Sequence, residues 1–225
     1  MTLKTIIKQI PLGPFQVMTY LVACPHTREA VLIDPAGEEN KILDLIQAQG
    51  LKVKYILNTH GHSDHVLGNA KLKEALNVPV CMHEADDRFF SDPAVREKSS
   101  KELGLPPPDP ADIRLKDEDI IEVGTLNIKA IHTPGHTPGS VCYLIDGNLF
   151  CGDTLFVGAA GRTDLIGGSL ETLLESLEKR LIVLPKETMV WPGHDYGDTP
   201  TSTIAREMRR SRSFSILDIA RYACG

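Results

Sequence analysis

The chain has 225 residues, enough for one large core, and its 42% hydrophobic and 24% charged content excludes a disordered, collagen-like or mucin-like polymer. With 24 Lys and Arg against 30 Asp and Glu, the net charge of −6 lacks the basic excess that duplex nucleic acid demands. No apolar run approaches the length of a membrane span, and residues 1–11 lack the apolar stretch and small-residue cleavage site of a signal peptide, so the expectation is a cytoplasmic protein with no nucleic-acid or membrane partner.

Strand and helix patterns alternate along the first half, which points to an α/β protein. Residues 20–24 and 30–33 read as strands joined by the polar turn 25–29, a hairpin signature. Ile42, Leu43, Leu45 and Ile46 then fall at helical spacing before Gly50. Residues 53–57 form the next strand and deliver the chain into Asn58-Thr59-His60-Gly61-His62-Ser63-Asp64-His65. Residues 66–76 read as one helix, 80–82 as a short strand and 84–90 as a short helix. Residues 91–111, with Pro106, Pro107, Pro108 and Pro110, read as a stiff surface connection.

Residues 123–131 and 141–145 read as strands, and Asp146-Gly147 is a hairpin turn signal that sets Cys142 opposite Cys151. Ser169 caps a predicted helix whose Leu170, Leu173, Leu174, Leu177 and Leu181 make one apolar stripe. Residues 188–191 form the last strand, ending in Pro192-Gly193-His194, and residues 202–210 a final helix. The five cysteines, Cys24, Cys81, Cys142, Cys151 and Cys224, form no C-x-x-C pair and are expected as free thiols.

His60-x-His62-x-Asp64-His65 gathers three imidazoles and a carboxylate directly after an apolar strand, where an irregular loop can turn them to one side. This donor set suits Zn²⁺ and also iron or manganese. Further candidate ligands stand at three other strand ends, each beside glycine or proline: His136, Asp153 and His194. His26, His83 and His132 read as structural or solvated histidines. Arg162 reads as paired with Asp164, with a grip on a substrate carboxylate as the alternative.

Together His60, His62, Asp64, His65, His136, Asp153 and His194 resemble the seven-ligand signature of the metallo-β-lactamase superfamily, over about residues 15–210. The resemblance implies an αββα sandwich of two mixed β-sheets flanked by helices, with residues 1–225 as a single domain and the metals at one sheet edge. Within the superfamily, Gly152-Asp153-Thr154-Leu155-Phe156, Gly161-Arg162-Thr163-Asp164-Leu165 and Pro200-Thr201-Ser202-Thr203-Ile204 are similar to the glyoxalase II branch. By that resemblance His60, His62 and His136 hold one metal, Asp64, His65 and His194 a second, and Asp153 bridges them.

The cofactors implied are two divalent ions, Zn²⁺ first, with Fe or Mn as alternatives. The implied function is a metal-dependent hydrolase that cleaves a small-molecule thioester, such as a hydroxyacylglutathione, by attack of a metal-held hydroxide that Asp64 helps to orient. No G-x-S-x-G elbow offers a serine nucleophile instead. The rival reading is a mononuclear iron persulfide dioxygenase of the same fold, against which Ser140 and Thr154-Leu155-Phe156 are read as hydrolase-like. Full-length glyoxalase II carries basic groups for glutathione in a helical C-terminal region. Here 31 residues follow His194, and Arg206, Arg209, Arg210, Arg212 and Arg221 read first as a solvated face, with substitutes for those basic groups as the alternative. A homo-oligomer stays open.

Overall fold

The computed structural model describes residues 4–213. The chain opens on an antiparallel pair, β1 (Ile6–Leu12) and β2 (Val17–Ala23), to which β3 (Glu29–Ile33) adds antiparallel. After α1 (Glu39–Gln49) it returns parallel to β3 as β4 (Lys52–Leu57). α2 (Ser63–Val66) and α3 (Asn69–Leu76) lead to β5 (Val80–His83), and α4 (Glu84–Phe89) and α5 (Pro93–Leu103) to β6 (Ile113–Leu115). These strands form a mixed sheet in sequence order, β1 to β6.

The second sheet is an antiparallel meander of β7 (Ile120–Val123), β8 (Leu126–His132), β9 (Val141–Ile145) and β10 (Asn148–Gly152). α6 (Leu170–Ser176) continues as a π-helical turn over Leu177–Leu181 and returns the chain as β11 (Met189–Pro192), parallel to β10. β12 (Ser202–Thr203) closes that edge and α7 (Ile204–Ser213) follows. Among the described residues no helix is long and apolar enough to cross a membrane.

The two sheets pack face to face with helices outside, as the α/β sandwich reading expects. Alternation along the strands builds the layers. In β2, Met18, Tyr20 and Val22 enter the central core between the sheets, while Val17, Leu21 and Ala23 face an outer layer with Ile42 and Ile46 of α1 and Leu72 of α3. In β9 and β10, Tyr143 and Phe150 join the central core, whereas Cys142, Leu149 and Cys151 pack outward with Leu181 and Ile204.

Five local expectations change. β1 lies ahead of the predicted first strand; its residues are mostly half-buried, so it carries only a weak apolar signal. The helix expected over 66–76 is two, separated near Gly68, whose N–H bonds the Pro35 carbonyl at 2.8 Å rather than continuing the helix. The strand expected over 123–131 is a hairpin, because Gly124 takes a left-handed φ of 61° that reverses the chain. The proline-rich connection is shorter than expected and contains α5. Asp92 caps that helix by accepting from Ala94 N at 2.8 Å, and Pro93 opens its first turn. The final helix begins at Ile204, after the short β12.

Candidate metal centre

Inter-sheet hydrogen bonds bring several strand ends together. Val141 N donates to the Thr59 carbonyl at 2.8 Å, and Met18 N donates to the Gly193 carbonyl at 2.8 Å. Tyr143 Oη donates to Asn58 O at 2.8 Å, and Tyr20 Oη to Pro192 O at 2.6 Å. The loops after β4, β8, β10 and β11 therefore open at one edge, and they carry all seven candidate ligands.

Those seven side chains converge. His60, His62 and His136 offer ligand atoms within 4.8 Å of one another, as do Asp64, His65 and His194. Asp153 lies between the groups: its Oδ2 is 3.6 Å from His136 Nε2 and 3.5 Å from His194 Nε2, and its Oδ1 is 3.3 Å from His65 Nε2. Asp64 Oδ2 stands 3.7 Å from both His65 Nε2 and His194 Nε2.

Hydrogen bonding at the far side of the rings fixes which nitrogen faces inward. His136 Nδ1 donates to the Arg162 carbonyl at 2.7 Å and His194 Nδ1 to the Phe15 carbonyl at 3.2 Å; a carbonyl only accepts, so these protons sit on Nδ1. His65 Nδ1 donates to Asp34 Oδ2 at 3.0 Å. The Thr59 hydroxyl spends its proton on Asp34 Oδ2 at 2.6 Å, leaving its oxygen to accept from His60 Nδ1 at 3.1 Å. In His60, His65 and His194 the Nε2 lone pair is thus left for an electrophile. His62 differs, turning Nδ1 to His136 Nε2 at 2.9 Å.

The donor set fits a metal ion. His60 Nε2, His62 Nε2, His65 Nε2 and Asp153 Oδ1 are buried with no hydrogen-bond partner, a costly arrangement unless a cation completes it. Burial and the neighbouring imidazoles push His60 and His62 well below the usual histidine range, and burial lowers His136, which favours the neutral rings a metal requires. For His65, burial pulls down but the carboxylates of Asp153 and Asp64 outweigh it and hold the ring well above its ordinary value. Burial would raise Asp153, yet His194 and His65 hold it well below the carboxylate range.

Two buried carboxylates that sequence patterning did not single out support this arrangement. Asp34, at the end of β3 in a left-handed conformation (φ 49°), accepts from Thr59 N at 2.8 Å as well as from Thr59 Oγ1 and His65. The strand-ending Asp34-Pro35 pair was its only sequence signal. Asp86, in α4, accepts from Gly61 N, Thr137 Oγ1 and Gly139 N; burial nevertheless pushes it up to about 6.

Arg162 is held by Asp164 through two bonds of 2.7 Å, with both side chains exposed, while its backbone carbonyl anchors His136. Tyr196 is exposed and stacks on His194, with ring centroids 5.0 Å apart. His83 and His132 stack on each other at 4.0 Å, and burial with electrostatic repulsion from His132 lowers His83 to about 4. Of the tail arginines, Arg206 pairs with Asp198 at 2.6 Å, and Arg221 lies outside the described residues.

Known proteins resemble this chain over most of its length. The chain is 35% identical to the probable metallo-hydrolase YqgX of Bacillus subtilis, covering 83% of this chain and 89% of that protein. It is 33% identical to the human mitochondrial persulfide dioxygenase ETHE1 (84% and 68% covered) and 33% identical to a hydroxyacylglutathione hydrolase of Polaromonas sp. (90% and 72% covered). Among solved structures, the BLEG-1 B3 metallo-beta-lactamase superposes with a TM-score of 0.82 at 37% identity, covering 91% of this chain and 97% of that one. TTHA1623 in a di-iron-bound form superposes with a TM-score of 0.77 at 38% identity, covering 92% and 100%. The metallo-beta-lactamase superfamily model matches residues 12–194, a span that begins at the end of β1 and closes on the last candidate ligand, and the chain belongs to that superfamily.

Proposed function

We propose that the protein is a binuclear metallohydrolase that cleaves thioesters, with His60, His62 and His136 holding one divalent cation, Asp64, His65 and His194 a second, and Asp153 reaching both. The observation that carries this reading is the convergence of unpartnered ring nitrogens and carboxylate oxygen in two adjoining groups. Two divalent cations held there supply the Lewis acidity that makes water nucleophilic near neutral pH and polarises an acyl carbonyl. Zn²⁺ suits the nitrogen and oxygen donors, and iron is supported by the di-iron form of TTHA1623.

The protein's own groups do the positioning. Asp64, set between His65 and His194, orients the attacking water, whose protons pass one to the departing sulfur and one to solvent. The Nδ1 anchors hold the rings so that little reorganisation accompanies reaction. A C–O bond forms at the acyl carbon as the C–S bond breaks, giving a carboxylate and a thiol. Arg162, close to His136 through its backbone, meets an anionic substrate group by exchanging Asp164 for it. Residues 1–225 act as one domain in this reading. A cytoplasmic setting is supported by Cys24, Cys81, Cys142 and Cys151, all buried free thiols.

A second reading, oxygen-dependent oxidation of a persulfide by a single iron, is favoured by the likeness to ETHE1, equal in identity to that of the glutathione-thioester hydrolase. One preparation assayed for metal content, thioester cleavage and oxygen uptake with glutathione persulfide separates them. About two metals per chain with thioester turnover is the expected result. One iron per chain with rapid oxygen uptake and no thioester cleavage overturns the hydrolase reading.

A further inference from the structure

Asp86 is a wholly buried carboxylate, and among the described residues no lysine, arginine or histidine forms an ion pair with it. All of its side-chain partners are donors on the two loops that carry the three-histidine group. Its Oδ2 accepts from Gly61 N at 2.8 Å and from Thr137 Oγ1 at 2.8 Å, and its Oδ1 accepts from Gly139 N at 2.5 Å. His60 and His62 flank Gly61 in the chain, and His136 directly precedes Thr137. Every imidazole of that group is therefore one peptide link from an atom that Asp86 holds.

The charge balance makes this arrangement more than a loop tie. The group of Asp64, His65 and His194 contains its own carboxylate, whereas His60, His62 and His136 contribute only uncharged donors and share the single charge of Asp153 with the other group. A divalent cation taken into three imidazoles in a buried setting gains from a fixed negative charge nearby, and a buried carboxylate without a cationic partner gains equally from the cation. The close packing at Gly139 keeps the carboxylate in place, since a Cβ there would stand 2.3 Å from Asp86 N and 2.8 Å from its Cγ.

We propose that Asp86 is a positioning residue and counter-charge for the cation held by His60, His62 and His136, setting how tightly that cation is bound by clamping Gly61 and Thr137 at once. This rests on the metal-binding reading of the site above, and it concerns affinity rather than turnover. Removing Asp86's charge with the shape preserved weakens that cation, and cutting only its bond to Thr137 weakens it less.

The test uses the full chain, stripped with a chelator and titrated with Co²⁺, whose visible absorption reports coordination, and with Zn²⁺ against a chromogenic chelator. Asp86→Asn is expected to bind its tightest cation about ten- to a hundredfold more weakly than the parent, with an altered Co²⁺ spectrum. Thr137→Val, which keeps the charge and loses one bond, is expected to bind about fivefold more weakly. If Asp86→Asn does not fold, Thr137→Val alone decides. Affinities and spectra like the parent's, even with a lowered melting temperature of the metal-free protein, assign Asp86 a purely structural role and overturn the proposal. A parent that takes up no cation instead overturns the ligand reading on which the proposal rests.

Discussion

The Thr59 hydroxyl donates to Asp34 Oδ2 at 2.6 Å, and this one bond determines the tautomer of the neighbouring His60, because the same oxygen is then free only to accept from His60 Nδ1. Thr59→Val removes the hydroxyl at nearly constant volume and releases the ring. Metal affinity is expected to fall about tenfold or more, while Thr59→Ser stays close to the parent. Isothermal titration of the chelator-stripped proteins with Zn²⁺ checks this, and equal affinities for Val and Ser would refute the tautomer argument.

The central core between the sheets contains none of the seven candidate ligands. Removing the metals is therefore expected to abolish activity while the far-UV circular dichroism spectrum stays close to that of the loaded protein, and hydrogen exchange rises chiefly in the ligand loops. Loss of the spectrum on chelation would show that the cations hold the sheets together.

A Cβ at Gly161 would stand 1.7 Å from the Asp153 carbonyl oxygen, a contact that only a backbone shift relieves. Gly161→Ala should displace Asp153, which reaches both histidine groups, and lower kcat/KM by about a hundredfold. Steady-state kinetics beside a metal count gives the answer; unchanged values would mean that the loop yields without moving Asp153.

His83 is held at about 4 by burial and by electrostatic repulsion from the neighbouring His132, below its unfolded value of about 6.5. The unfolded chain takes up this proton first as pH falls. The contribution of His83 to stability is therefore present above pH 6.5 and lost on acidification towards 4. With allowance for solvent screening the loss at pH 5 is about 1 kcal/mol. Urea unfolding of metal-free parent and His83→Phe at pH 7 and pH 5 measures the difference, and parallel acid losses in the two proteins would exclude the assignment.

Continuing the β9–β10 register by one pair past Tyr143 and Phe150 sets Cys142 across from Cys151, and both are buried free thiols. Thiol counting on protein unfolded from reducing buffer should give all five cysteines as reactive. A count of three would reveal a disulfide.

The α/β alternation and the seven convergent side chains were legible because each rests on short-range pattern, namely apolar strands with His or Asp set beside glycine or proline at their ends, whereas the sandwich came only through the family resemblance those seven residues carry. Asp34 and Asp86 were not, since their partners lie far along the chain, 25 residues on at Thr59 and 51 residues on at Thr137. Neither has a periodicity to betray it. α5 escaped for a different physical reason: its side chains mostly face water and only Ser99 is buried, so no apolar stripe marks it, although Asp92-Pro93 was a capping signal in plain view. Gly124, which makes two strands of one apolar run, shows the limit of alternation as a guide to where a strand ends.

The strand-end layout also divides the seven side chains unequally between the two sheets. His60, His62, Asp64 and His65 follow β4 of the first, and His136, Asp153 and His194 follow strands of the second. The group of His60, His62 and His136 and the group of Asp64, His65 and His194 each take two members from the first half and one from the second, so a cation gripped by either is a rivet through both. Its occupancy would register the docking of one half of the chain on the other during folding, and a sliding of the sheets by a fraction of a side chain's length would be felt first as slackened metal binding.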